Sequence, residues 1–171
     1  MKFNYYAFRS MYLHEMDRFK RTLMQSLFSP VLSTSLYFIV FGSVIGGYVE
    51  KIDGISYGSF IVPGLLMLTL LTQSISNTSF GIFFPKFNGT IYEILAAPIS
   101  TFEIVLAFVG AGATKTLIVG LVIFLTSTFF VEVQVMYPLL MIFLLVLVAF
   151  TFALFGFLIG LMSSNFEQMS I

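Results

Sequence analysis

Gly110-Ala111-Gly112-Ala113-Thr114-Lys115-Thr116 is a run whose residue types approach a phosphate-binding loop. A Walker A motif needs glycine directly before its lysine, and it lies where a strand meets a soluble helix. Here Thr114 precedes Lys115, and the run sits inside a long apolar stretch. Nucleotide chemistry is therefore not expected at this position. Gly110 and Gly112 read instead as small residues that let helix backbones approach in a membrane. Lys115 keeps two readings. An ionisable group within a span marks a substrate or gating site by default. A lysine towards the cytoplasmic part of its helix can also snorkel to headgroups or bond a neighbouring helix.

The remaining chemistry-bearing residues exclude more than they suggest. The sequence has no cysteine and a single histidine, His14, so thiolate chemistry, disulfides and a histidine or cysteine metal site are not expected. No H-E-x-x-H, G-x-S-x-G or carboxylate pair occurs, so no catalytic residue is assigned and the chain is not expected to be an enzyme. Thr69, Thr72, Gln73, Ser74, Ser76, Asn77, Thr78 and Ser79 recur along one apolar stretch. Thr69, Gln73 and Asn77 fall one helical turn apart on one face. Polar groups in lipid seek internal partners or a wet cavity, so this face either lines a translocation path or bonds adjacent helices. Gly42 with Gly46, and Gly156 with Gly160, are G-x-x-x-G pairs suited to close helix packing.

The elements that must position these residues follow from composition. Of 171 residues, 58% are hydrophobic and 9% charged, with a mean hydropathy of +1.02. A globular domain carries about 25% charged residues, so this chain cannot cover a water-facing surface. Net charge is zero, which gives no pull towards nucleic acid. A spanning helix needs about 20 mostly apolar residues. Spans are placed at 30–48, 58–83, 102–129 and 137–162, giving an all-α polytopic membrane bundle. Pro63-Gly64 is a candidate kink in the second. The first does not read as a cleavable signal, because a charged lead precedes it and no A-x-A site follows.

Lys2, Arg9, Arg18, Lys20 and Arg21 precede the first span, so the positive-inside rule puts the N-terminus in the cytoplasm. The turns near 50–53 and 131–134 then lie outside, and 86–98 returns to the cytoplasm. Within 3–23, Tyr5, Phe8, Tyr12, Met16, Phe19 and Leu23 recur at helical spacing. This predicts an amphipathic helix in the interface, aromatics towards the acyl boundary and basic residues towards headgroups. Between the second and third spans, Lys86 to Pro98 reads as a short capped helix. Thr90-Ile91-Tyr92-Glu93 fits a capping box, Gly89 precedes it and Pro98 stops it. Ile91, Tyr92, Ile94 and Leu95 would face water, where apolar groups usually meet a partner.

Taken together, Ser56-Tyr57-Gly58-Ser59-Phe60-Ile61-Val62-Pro63-Gly64-Leu65 and Gly89-Thr90-Ile91-Tyr92-Glu93-Ile94-Leu95-Ala96-Ala97-Pro98, behind an interfacial helix and the Leu36-to-Gly42 span, closely resemble the ABC-2-type permease subunits of ATP-binding cassette exporters (type V exporter-like). The resemblance covers the whole chain. It implies a permease half with six transmembrane helices, paired with a second permease subunit as homo- or heterodimer, and driven by two separate ATPase subunits. ATP and Mg would be bound by those partners, with no cofactor on this chain. The ATPases would grip the interfacial helix and a coupling segment here comprising Gly89, Thr90, Ile91, Tyr92, Glu93, Ile94, Leu95 and Pro98. Tyr92, Ile94 and Leu95 are the expected contact core, and Glu93 doubles as a helix cap. The sequence ends at Ile171 after matching four of the six implied helices, which predicts a partial ABC-2 domain over 1–171. The implied substrate is a drug, glycan or lipid-like molecule. The competing reading is a membrane scaffold or inactive remnant that only binds partner subunits.

Overall fold

The structure is a computed structural model that describes residues 3–41, 51–52, 55–133, 135–165 and 168. It is an all-α bundle. Helix α1 (Tyr5–Arg21) runs through the single residue Thr22 into α2 (Leu23–Val40). A two-residue hairpin, β1 (Lys51–Ile52) with β2 (Ile55–Ser56), leads into α3 (Tyr57–Phe87). The short α4 (Ile91–Ala96) joins α3 to α5 (Thr101–Phe130), and α6 (Pro138–Met162) follows. Four helices among the described residues are long and apolar enough to cross a membrane: α2, α3, α5 and α6.

The expected second, third and fourth spans match α3, α5 and α6 within a few residues. The first differs. Helix α2 begins at Leu23, with Pro30 buried in its interior instead of at its start. The apolar residues 23–29 already satisfy the helical pattern, so the proline costs one backbone bond without ending the helix. The part of the expected span beyond Phe41 lies outside the described residues, as do Gly42 and Gly46. Pro63 is likewise carried inside α3.

Helix α5 is the centre of the bundle. It packs against α1, α2, α3 and α6, while α3 and α6 form the most extensive pairing. Small residues make that pairing possible. A Cβ on Gly160 would sit 2.5 Å from the Ser79 carbonyl oxygen, and one on Gly156 would collide with the Ile75 backbone. The buried Ser74 hydroxyl donates to the Ala149 carbonyl at 2.6 Å, a cross-helix bond of the kind small polar residues supply in lipid. Gly112 does the same work between α5 and α3, where a Cβ would clash with the Thr78 side chain. Among the described residues Thr78 Oγ1 has no conventional hydrogen-bond partner; it lies against Gly112, an arrangement suited to a weak Cα–H···O contact. Gly110 departs from expectation. A Cβ there would meet only the Tyr12 ring at 3.9 Å, an ordinary contact.

The main apolar cluster (Ile82, Ile104, Phe108, Val109, Ala113, Ala149, Ala153 and Phe157) gathers towards the α4 end of the bundle. At the opposite end, Ser59 Oγ donates to the Glu132 carbonyl at 2.9 Å, and Phe38 stacks on Phe130 at 5.7 Å. Helices α3 and α5 have 31 and 30 residues. At 1.5 Å per residue each is about 45 Å long and overhangs a hydrocarbon core of about 30 Å.

Candidate coupling segment and polar groove

The link between α3 and α5 is built from a glycine hinge and a two-faced helix. Asn88 closes α3, and Gly89 then takes φ +80. That left-handed conformation is open to glycine at little cost and disfavours a Cβ. Helix α4 has six residues, well below the length at which an isolated helix holds in water, so tertiary packing must support it. Ile91 and Ile94 supply that packing, resting against the main apolar cluster. Tyr92 and Leu95 point the other way and are 73% and 62% exposed; Glu93 is exposed beside them. Ile91 and Ile94, both expected on the outward face with Tyr92 and Leu95, are thus inward anchors. Ile91 and Leu95 lie one helical turn apart, so the bundle meets only the edge of α4 that carries 91 and 94. Ala97 is extended (ψ 149) ahead of Pro98, as the residue before a proline prefers.

The capping box lies elsewhere than expected. Thr90 is helical (φ −61, ψ −20), and its side chain makes no cap hydrogen bond. The amides of Glu93 and Ile94 reach the Thr90 carbonyl instead, at 3.1 and 3.3 Å. A capping side chain needs an extended backbone at the cap, and Thr90 lacks it. Ser100 has it (ψ 149), and there the reciprocal box forms at the head of α5. The Glu103 amide donates to Ser100 Oγ at 3.3 Å, and the Ser100 amide donates to Glu103 Oε2 at 2.9 Å. The other oxygen, Oε1, accepts from the Asn4 amide. One buried carboxylate thereby joins the exit of the α3–α5 link to the start of α1.

Helix α1 is held along α5 by further polar links. The Tyr12 hydroxyl donates to Thr114 Oγ1 at 2.9 Å. Lys115 Nζ donates to Glu15 Oε2 at 2.7 Å, and Arg18 Nη2 lies 3.1 Å from the same oxygen. Glu15 and Lys115 are 4% and 3% exposed. The stripe expected to face lipid therefore packs partly on protein: Phe19 is buried, Phe8, Tyr12 and Met16 are half-buried, and Tyr5 is exposed. On the outer face, Lys20 Nζ bonds Asp17 at 2.9 Å and holds its carboxyl below the usual carboxylate range.

The polar face of α3 divides in two. Ser74, Thr78 and Ser79 are buried among helices. Thr69, Thr72 and Gln73 open instead into a groove of about 190 Å³ shared with Ser29, Ser33, Thr34 and Tyr37 of α2. Asn77 donates to Gln73 Oε1 at 3.4 Å, a long contact behind that groove. The structure thus groups Thr69, Gln73 and Asn77, while Lys115 of α5 stands apart, bonded to Glu15 of α1. Among the described residues, none that lines the groove is charged. Thr69 and Thr72 spend their hydroxyl protons on the Leu65 and Leu68 carbonyls, at 2.9 and 3.0 Å, leaving their lone pairs free to accept. In the last turn of α3, Lys86 Nζ caps the end of α6, donating to the carbonyls of Leu161 and Ser163 at 2.6 and 2.8 Å.

The sequence pattern of the ABC-2 type transporter family matches residues 6–171. The chain belongs to that family. It is 38% identical over 165 residues to the inner membrane transport permease YadH of Escherichia coli K12, covering 96% of this chain and 64% of the relative. The YadH proteins of Escherichia coli O157:H7 and Shigella flexneri match to the same extent. The chain therefore spans a little under two thirds of the length of these curated relatives. No solved structure matches it. Within this ABC-2 chain, the residues that sequence reasoning passed over are Glu15, Glu103 with Asn4, and the α2 side of the groove. Two of them had a signal. Ser100-Thr101-Phe102-Glu103 fits the S-x-x-E box ahead of an apolar run, and Glu15 lies three residues after Tyr12 and four before Phe19, on the apolar stripe itself.

Proposed function

We propose that this chain is part of the permease subunit of an ATP-binding cassette exporter in the bacterial cytoplasmic (inner) membrane, with its N-terminus in the cytoplasm. A separate ATPase subunit, which binds ATP and Mg, docks on the outward face of α4 and on α1. A second permease subunit completes the path. The observation that carries this reading is the two-faced α4: Ile91 and Ile94 fix it to the bundle while Tyr92, Glu93 and Leu95 stand free. Such a helix transmits a push on its exposed face into α3 and α5, because only short links join it to both and its inner side rests on the bundle. Exposed aromatic and aliphatic groups on a rigid support are also what a partner's hot spot requires.

Family membership and the likeness to an inner membrane permease support the same placement. The α2/α3 groove is the proposed stretch of translocation path contributed by this chain. Its uncharged, hydroxyl-rich lining suits a neutral portion of a drug, glycan or lipid-like molecule. The test is to co-express the full-length protein with a candidate ATPase, reconstitute the complex in liposomes, and screen compounds for stimulation of ATP hydrolysis and vesicle loading. Stimulation with ATP-dependent loading supports export. A stable complex that neither loads nor responds to any compound favours a membrane scaffold.

A further inference from the structure

We propose that Glu15 and Lys115 are positioning residues that fix the register of α1 on α5, so that motion entering at residues 89–98 reaches α2 and sets the width of the α2/α3 groove. The proposal rests on the permease reading above. Its starting point is that the pair is buried where no solvent relieves it, and that Arg18 completes it from the same helix. A buried ion pair is a poor source of stability, since apolar side chains of similar size often serve as well or better. Its best-attested use is to select one register over others. Sliding α1 by one residue along α5 would carry Glu15 and Arg18 away together and leave the Lys115 ammonium buried without its carboxylate.

The surroundings give that register a consequence. Glu103 ties the first residue before α1 to the head of α5, next to Pro98. Tyr12 ties its middle to Thr114, and Glu15, one turn further on, ties it to Lys115. A helix held at these points moves with α5 as one body. Thr22 alone separates α1 from α2, so α2 must follow. Helix α3 is held by α6 through Gly156, Gly160 and Ser74, and by α5 through Gly112. Helices α2 and α3 touch each other only sparsely, with the groove between them. A shift of α2 against α3, led by α1, thus opens or closes the groove. Gly81 of α3 adds to this geometry: a Cβ there would be 3.5 Å from Glu15 Oε2, so the pair lies where α1, α3 and α5 meet.

The experiment uses the full-length protein with its ATPase, in liposomes, and measures transport per ATP hydrolysed. Lys115→Met alone strands a buried carboxylate and risks misfolding, so the decisive variant is Glu15→Met with Lys115→Met, which keeps side-chain volume and removes the register signal. Nitroxide labels at Ser10→Cys and Thr101→Cys, both exposed, report the placement of α1 on α5. The double Met variant is expected to assemble at wild-type yield, to broaden the label distance distribution at least twofold, and to lower transport per ATP at least fivefold. Lys115→Arg, which keeps a cation on Glu15, is expected to retain at least half of wild-type coupling. A double Met variant with a narrow distribution, or with wild-type transport per ATP, overturns the inference and leaves the permease reading intact. A wild-type complex that shows no ATP-driven transport overturns both.

Discussion

Gly160 and Ser79 meet backbone to backbone: a Cβ on Gly160 would lie 2.5 Å from the Ser79 carbonyl oxygen and equally close to Ile82 Cγ2. This contact, repeated one turn earlier at Gly156 and Ile75, seats α6 on α3. Replacing Gly160 by Val forces the helices apart and is expected to cost about 1–3 kcal/mol, the usual range for overpacking a tight site. Gly64→Ala is the control, because nothing lies within 4 Å of its Cβ position; it is expected to be neutral or slightly stabilising. Thermal melting of the purified protein in detergent reads both. Equal melting temperatures for the two variants would contradict the packing account.

Glu103 offers a graded test of the joint between α1 and α5. Glu103→Ala removes the acceptor for the Ser100 and Asn4 amides and is expected to cost about 1–2 kcal/mol, the range for a lost cap. Glu103→Gln keeps one acceptor oxygen and should fall between Ala and wild type. Hydrogen exchange at residues 4–8 should accelerate in the same order. Unchanged exchange there in the Ala variant would mean the carboxylate does not hold α1.

These contacts also mark how far the sequence could be read. The spans were legible because apolar runs longer than a bilayer is thick have few other uses, and the S-x-x-E box at Ser100 was legible in principle. The choice between that box and Thr90 was not, because both fit the same pattern and only the backbone at the cap decides: extended at Ser100, helical at Thr90. The outward set on α4 was read with Ile91 and Ile94 included, since the sequence does not say which side of a short helix meets the bundle. Lys115 could be flagged as costly in a span, but its partner is 100 residues away, beyond the reach of local periodicity. Gly110 and Gly112 look alike in sequence, and only the positions of Tyr12 and Thr78 separate them.

The polar groove makes its own prediction. Gln73→Leu with Thr69→Val strips polar groups from the α3 wall without adding bulk, and Tyr37→Phe removes a hydroxyl from α2. In the reconstituted complex each set is expected to leave ATPase assembly intact and to reduce transport about tenfold for the triple variant. Changing a polar group one turn further along α3 and outside the groove's lining, as in Ser76→Ala, should have no such effect. Full transport by the triple variant would remove this groove from the translocation path.

The coupling face of α4 carries the account. Tyr92 and Leu95 are exposed, whereas Ile91 and Ile94 are turned into the bundle, so the outward pair can be changed without unseating the helix. The measurement is co-purification of the ATPase with the full-length protein bearing Tyr92→Asp and Leu95→Asp, at matched expression and with thermal melting to show an intact bundle. The account predicts that the ATPase is lost from the complex while the permease melts as wild type. Undiminished co-purification would contradict it.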